Sequence, residues 1–330
     1  MKNVSNTSSK KCRELSGLVA APFTPLRADM TLNLALISQY ASWLADNRVS
    51  AVFICGTTGE GFSLTTNERR QLAEAWMAGT AGKLKVVVHV AHNSLEESQE
   101  LAAHAEEIGA HAIASIGPTF FRPVSVEQLV DFCEPVAAAA PGLPFYYYHM
   151  PAMTGVNLPM MEFLRHASKR IPQLAGIKFT DENLMSYTQC LNFEGGRFNV
   201  LFGRDEILLA ALALGATGAV GSTYNYMAPI YHQVMAAFAA GDMAEARRWQ
   251  TLSIQIIAVM AQHGGLPAGK AMMSLLGLDC GPVRPPLKNL SASELKSFRD
   301  DLKKVGFPNQ IPSLPTGGKV RELAVVRKRK

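Results

Sequence analysis

The sequence predicts an α/β fold, a closed (β/α)8 TIM barrel with a C-terminal helical extension. Three observations point there. Short apolar runs alternate with amphipathic stretches between Gly17 and Asn225, the order expected of repeated βα units. The runs are almost continuously apolar, as in VVVHV and AVFIC, which marks strands buried on both faces of a parallel sheet. There are eight of them, and eight units over this length fit closure better than an open doubly wound sheet.

In chain order the strands are expected at 17–25, 51–56, 85–91, 112–117, 144–149, 175–179, 199–203 and 217–221. Segments such as LISQYASWL and QELAAHAEEIG carry apolar residues at three- and four-residue spacing and read as the intervening helices. Thr65 with Glu68, Ser94 with Glu97 and Ser125 with Gln128 fit the capping-box pattern of a helix start. Gly82 and Gly109 stand where helices should stop. Beyond Asn225 the strand pattern ends, and helices are expected at 231–240, 243–263, 267–276 and 293–305. The resulting organisation is a flexible N-terminal segment at 1–16, the barrel at 17–227, the helical extension at 228–307 and a flexible basic tail at 308–330.

Composition agrees with one globular unit. The chain has 330 residues, 48% hydrophobic and 18% charged, and α/β barrels of about 250 residues routinely form single domains. No apolar run reaches the ~18 residues of a membrane span, and the polar opening MKNVSNTSSKK lacks a secretory signal's apolar segment. Cys12, Cys55, Cys133, Cys190 and Cys280 are far apart, odd in number and without a CxxC pair. They read as buried free thiols in a reducing, cytoplasmic setting. Much of the net charge of +5 lies in Arg327-Lys328-Arg329-Lys330, a solvated tail rather than a docking stripe. No basic face with interleaved aromatics suggests a nucleic-acid partner.

In such a barrel the chemistry belongs at the carboxyl ends of the strands. Lys178, between Ile177 and Phe179, should point opposite to them and into the barrel. Burial pushes a lysine toward its neutral, nucleophilic amine. On the strand alone, a structural lysine paired with a carboxylate fits as well. The loop Gly56-Thr57-Thr58-Gly59-Glu60-Gly61 can turn successive N–H groups toward an anion. Tyr146, Tyr147 and Tyr148 cannot all face one way, so one or two should enter the barrel, where a phenol can relay protons. Gly203-Arg204-Asp205-Glu206 and Gly221-Ser222-Thr223-Tyr224-Asn225 add polar groups at the last two strand ends. His89 and His92 are spaced to opposite faces, and adjacent Asp205 and Glu206 suit hydroxyl donors better than chelation. Neither a catalytic metal nor an organic cofactor is expected.

With these motifs in place, residues 17 to about 307 resemble the dihydrodipicolinate synthase/N-acetylneuraminate lyase family of pyruvate-dependent aldolases. The resemblance rests on GTTGE at 56–60, YYYHMPAMTG at 146–155, GIKFTD at 176–181, GRDE at 203–206 and GSTYN at 221–225. It implies that Lys178 forms an imine with a substrate ketone, that Thr57 and Thr58 hold the adjoining carboxylate, and that Tyr148 relays protons. Ala152 and Met153 stand near where the synthase branch places an arginine, so this segment is more similar to the lyase branch of animal type. That branch implies cleavage of N-acetylneuraminate to N-acetylmannosamine and pyruvate, with Thr180, Gly203, Asp205, Glu206 and Ser222 meeting the sugar. It also implies a homotetramer. Alternatives are another 2-keto acid, such as 2-keto-3-deoxygluconate, or a catalytically silent keto-acid-binding barrel. Two departures stand out. Phe120 occupies the position of a tyrosine that bacterial members lend to a neighbouring subunit, and His149 replaces a common asparagine. The segment 310–330 has no counterpart.

Overall fold

The computed structural model describes residues 15–307, and in it eight parallel strands close into a barrel in sequence order. They are β1 (Gly17–Ala20), β2 (Ala51–Ile54), β3 (Lys85–His89), β4 (Ala112–Ser115), β5 (Phe145–His149), β6 (Leu174–Phe179), β7 (Asn199–Phe202) and β8 (Gly218–Gly221). All eight expected strands are present, but several stop earlier than their apolar runs. After β1, Ala21 and Phe23 remain buried although they have left the sheet. Their apolar character serves packing over the barrel mouth, which a periodicity argument cannot separate from strand.

Helices α1 (Ile37–Asp46), α2 (Thr66–Thr80), α3 (Leu95–Glu107), α4 (Val126–Ala138), a single turn α5 (Pro151–Thr154), α6 (Met160–Arg170), α7 (Leu184–Asn192) and α8 (Leu208–Ala213) follow the first seven strands. Thr65 and Glu68 form the full reciprocal capping box. Ser94 and Ser125 cap α3 and α4 with their hydroxyls, but their third-position partners turn elsewhere: Glu97 accepts from Thr66, and Gln128 from the Val124 amide. Gly82 and Gly109 adopt the left-handed conformation that ends a helix.

Alternation along the strands sorts two cores. Val52, Ile54, Val86, Val88, Ile113, Tyr147, Ile177 and Phe179 face outward beneath the helices. Val19, Phe53, Val87, Ala114, Tyr146, Tyr148 and Leu201 fill the barrel. Two of the three tyrosines therefore enter the barrel and the middle one leaves it, as a period of two requires.

One irregularity matters for the site. Phe145 pairs with Leu174, but Tyr146 pairs with Gly176, so Ala175 is an extra residue between them. Such bulges shift register and often sit beside functional sites. This one places Lys178 level with Tyr148 and Leu201, whereas unbroken pairing would set Ile177 opposite Tyr148. Gly176 is what permits it, because a Cβ there would lie 1.8 Å from the Asn199 carbonyl oxygen.

Beyond β8 the chain is helical: α9 (Tyr224–Ala239), α10 (Met243–Gln262), α11 (Leu266–Leu275) and α12 (Ala292–Lys304). The first begins earlier than the expected 231 and kinks at Met227, two residues before Pro229. Asn225 and Pro229 read as loop residues, yet Asn225 is buried and useful. Its amide donates to the carbonyls of Ala21 and Ser222, and its oxygen accepts from Tyr40. These bonds tie the last barrel helix to the strand seam between β1 and β8.

The terminal segments expected at 1–16 and 308–330 lie almost wholly outside the described residues. Leu15 and Ser16 are the exceptions: the Ser16 carbonyl accepts from Ser50 Oγ. Leu15 is buried with the interior residues of the barrel, so ordered packing starts before Gly17. Cys55, Cys133, Cys190 and Cys280 are free and buried, while Cys12 lies outside the described residues. Among those residues, no helix is long and apolar enough to cross a membrane.

Candidate active site

A cleft of about 300 Å³ opens at the carboxyl ends of the strands. Thr57, Thr58, Tyr148, Lys178, Thr180, Gly203, Asp205, Glu206 and Ser222 all line it. Residues predicted from five separate stretches of sequence thus converge on one cavity.

Lys178 lies at its floor. The side chain is buried, with Nζ 4.0 Å from the centre of the Phe53 ring and 3.8 Å from that of Tyr148. No ion pair to Lys178 forms among the described residues, so the structural reading of a carboxylate-paired lysine falls away. Burial pulls its pKa down from 10.5 to about 7, and the more distant charge of Asp205 opposes that shift. Cation–π contact compensates an ammonium only partly. A large share of neutral amine at physiological pH follows.

A second buried lysine, not singled out from sequence, shows the contrast. Lys270 on α11 forms an ion pair with Glu60 at 2.8 Å and donates to the Pro282 carbonyl. Burial lowers its pKa, and the Glu60 carboxylate counters that shift, a partner that Lys178 does not have. Chemistry therefore separates two lysines that burial alone would not.

The Tyr148 hydroxyl lies 3.3 Å from Thr57 Oγ1 and donates to Met150 Sδ at 2.9 Å. Burial pushes this phenol up to about 12, although the Thr57 hydroxyl counters part of the rise. It is therefore protonated at neutral pH. His89 packs edge-on against the Tyr148 ring at 5.7 Å, and its Nδ1 lies 3.0 Å from the Cys55 carbonyl. The carbonyl only accepts, so Nδ1 carries the proton. Burial holds this imidazole well below its ordinary pKa, in the neutral state. In the sequence, His89 stands out only as a possible metal ligand. Its place as the wall behind Tyr148 follows from β3 and β5 both pointing inward at the mouth.

Asp205 is buried and fixed: its Oδ2 accepts from the Thr223 amide at 2.9 Å and hydroxyl at 2.6 Å. A Cβ on Gly221 would fall 1.9 Å from Asp205 Oδ1, so only glycine lets the carboxylate lie there. Burial and the neighbouring Glu206 raise its pKa to about 7. The other carboxylate oxygen and Glu206 offer acceptors to hydroxyl groups.

The far wall comes from the extension. Ile257, Met260 and Ala261 on α10, with Gly265, Leu266 and Gly269 around the start of α11, complete the cleft. Sequence reading treated these helices as support for the barrel. The consecutive left-handed residues Gly264 and Gly265 were the available signal, since they turn the chain back toward the mouth.

The two departures are placed outside this cavity. His149 faces away from the barrel, 5.1 Å from the Phe179 ring and 3.5 Å from an Asp181 oxygen, and burial lowers its pKa to about 4. It is a neutral packing residue at working pH. Phe120 is 77% exposed and stacks edge-on with Phe121 on the loop after β4.

The likeness to known proteins is extensive. The model of the dihydrodipicolinate synthetase family matches residues 14–305. N-acetylneuraminate lyase of Gallus gallus is 45% identical over 302 residues, covering 90% of this chain and 98% of that one. A solved Proteus mirabilis N-acetylneuraminate lyase superimposes with a TM-score of 0.87 at 40% identity, over 89% of this chain and 99% of its own. A catalytic lysine mutant of Ruminococcus gnavus sialic acid aldolase superimposes with a TM-score of 0.83 at 27% identity, over 92% and 97%. Barrel, cleft and sequence likeness over almost the whole described chain agree: this protein belongs to the dihydrodipicolinate synthetase family.

Proposed function

We propose that the protein is an N-acetylneuraminate lyase, a carbon–carbon lyase that works through a Schiff base on Lys178. The observation that carries this reading is a buried, unpaired amine in a polyol-compatible cleft, in a chain so similar throughout to proteins of that name. The open-chain sugar acid places its ketone at Lys178, and Thr57 and Thr58 receive the adjoining carboxylate. Nζ attacks C2, and loss of water leaves a protonated imine. The C4 hydroxyl gives up its proton toward the Tyr148–Thr57 pair, with the substrate carboxylate as the receiving base. The C3–C4 bond breaks, and its electrons move to the imine nitrogen as an enamine. N-acetylmannosamine departs as the aldehyde. Protonation at C3 restores the imine, and water releases pyruvate and free Lys178. The water lost in the first stage returns in the last, so no co-reactant is consumed, and the imine is the electron sink.

Thr180, Gly203, Asp205, Glu206 and Ser222 receive the hydroxyl-bearing tail. Carboxyl groups beside hydroxyls suit a polyol and, when ionised, repel a second acid group. Incubation with N-acetylneuraminate should yield pyruvate and N-acetylmannosamine in equal amounts. Cleavage of 2-keto-3-deoxygluconate with no release of N-acetylmannosamine from N-acetylneuraminate would overturn the assignment.

The imine step has a pH signature. Only the free amine attacks, so the rate of borohydride trapping with pyruvate should rise with pH, half-maximal near pH 7 rather than near 10.5. Asp205→Asn removes the negative charge that stabilises the ammonium, so the midpoint should move lower. A midpoint that stays put, or rises, would dissociate Asp205 from Lys178.

We further propose a homotetramer resident in the cytoplasm. Phe120, Phe121, Val124 and Met153 are exposed apolar residues around the mouth, a patch suited to burial between copies. We also propose a division into a barrel at 17–227 and a helical extension at 228–307, a reading supported by the kink in α9 at Met227.

A further inference from the structure

Glu60 closes the loop that carries Thr57 and Thr58, yet its side chain turns away from the cleft. It is buried in a left-handed conformation at φ 55°. Each of its oxygens meets a donor from the extension: Lys270 Nζ at 2.8 Å and the Arg284 amide at 2.8 Å. Lys270 is itself buried. Its helix α11 also contributes Leu266 and Gly269 to the far wall of the cleft. Arg284 then reaches on to both oxygens of Glu68, the capping residue of α2. A charged chain therefore runs from the threonine loop through the extension and back to the helix that follows that loop.

A buried ion pair is poor stabilisation compared with apolar residues of similar volume. What it confers is geometry, because both partners must sit where each satisfies the other. We infer that the Glu60–Lys270 pair is a positioning device that fixes the Thr57–Thr58 loop against α11 and so sets the grip on the substrate carboxylate. This rests on the Schiff-base reading above, in which that loop binds the carboxylate. Glu60→Gln keeps the size but leaves one acceptor oxygen for two donors, so the loop loses one of its anchors.

The test uses the full-length protein and two probes of the same shape, pyruvate and its neutral amide, pyruvamide. Borohydride trapping on Lys178 is followed by intact mass against probe concentration. In Glu60→Gln the pyruvate concentration for half-maximal trapping should rise about 10-fold or more, with the maximal rate within about threefold of wild type. Half-maximal trapping by pyruvamide should change by less than about twofold, because that probe makes no charged contact with the loop. Lys270→Met should behave alike. The double variant Glu60→Gln/Lys270→Met removes the unpaired buried charge and should recover the melting temperature, yet still bind pyruvate weakly. A merely structural pair would weaken both probes equally, or would regain pyruvate affinity in the folded double variant; either result overturns the inference. Failure of wild type to trap pyruvate at all would instead refute the Schiff-base reading, and the positioning role with it.

Discussion

Lys178→Ala is expected to abolish turnover, leaving less than about one part in 10⁴ of the wild-type rate, since the electron sink itself is removed. Lys270 cannot substitute. It is engaged by Glu60 and the Pro282 carbonyl and does not line the cleft. Peptide mapping after pyruvate and borohydride should therefore find one adduct, on Lys178, in wild type and none in the variant. The fold should survive, because removing a lysine with no ion-pair partner relieves a desolvation cost rather than breaking a network. Substantial residual cleavage by a folded Lys178→Ala protein would sink the imine mechanism.

Tyr148→Phe should lower the rate of cleavage by about 10²–10⁴-fold, the usual worth of a positioned acid–base group. The ring that covers Nζ at 3.8 Å is retained, so trapping of pyruvate should persist with its midpoint near pH 7. Tyr148→Ala makes a useful contrast. It removes the ring as well, admits water to Lys178 and should move the trapping midpoint upward toward the ordinary lysine range. If Tyr148→Phe cleaves as fast as wild type, the relay must run through Thr57 and the substrate carboxylate without the phenol.

These two residues also show how far a linear reading reaches. Lys178 lies between Ile177 and Phe179, and a strict alternation sends it inward whatever the neighbouring strands do. The same rule separates Tyr146 and Tyr148 from Tyr147. Identity of the nucleophile was legible on those grounds together with the surrounding motifs. Its lack of an ion-pair partner among the described residues was not, because a partner could have come from any of seven other strands.

Other features were misjudged for identifiable reasons. Phe23 looked like strand and is instead a buried lid residue, since apolar character reports burial and not backbone pairing. Asn225 and Pro229 looked like loop. Asn225 is held by three hydrogen bonds to residues that include Tyr40 and Ala21, far away in sequence. His149 looked like a change beside the relay tyrosine, and the same alternation that sends Tyr148 inward sends it out.

What the sequence determined by itself was local: where strands and helices fall, which side chains face the barrel, and which residue types stand at the strand ends. These follow from backbone period and burial pattern, which neighbours along the chain already encode. Tertiary structure decided the rest. The extra residue Ala175 sets the register of β5 against β6 and brings Lys178 level with Tyr148. The α10–α11 wall, the Glu60–Lys270 pair and the depressed basicity of Lys178 likewise depend on groups far apart in the chain. Register, desolvation and ion pairing are properties of distances between segments, and those distances exist only once the barrel has closed.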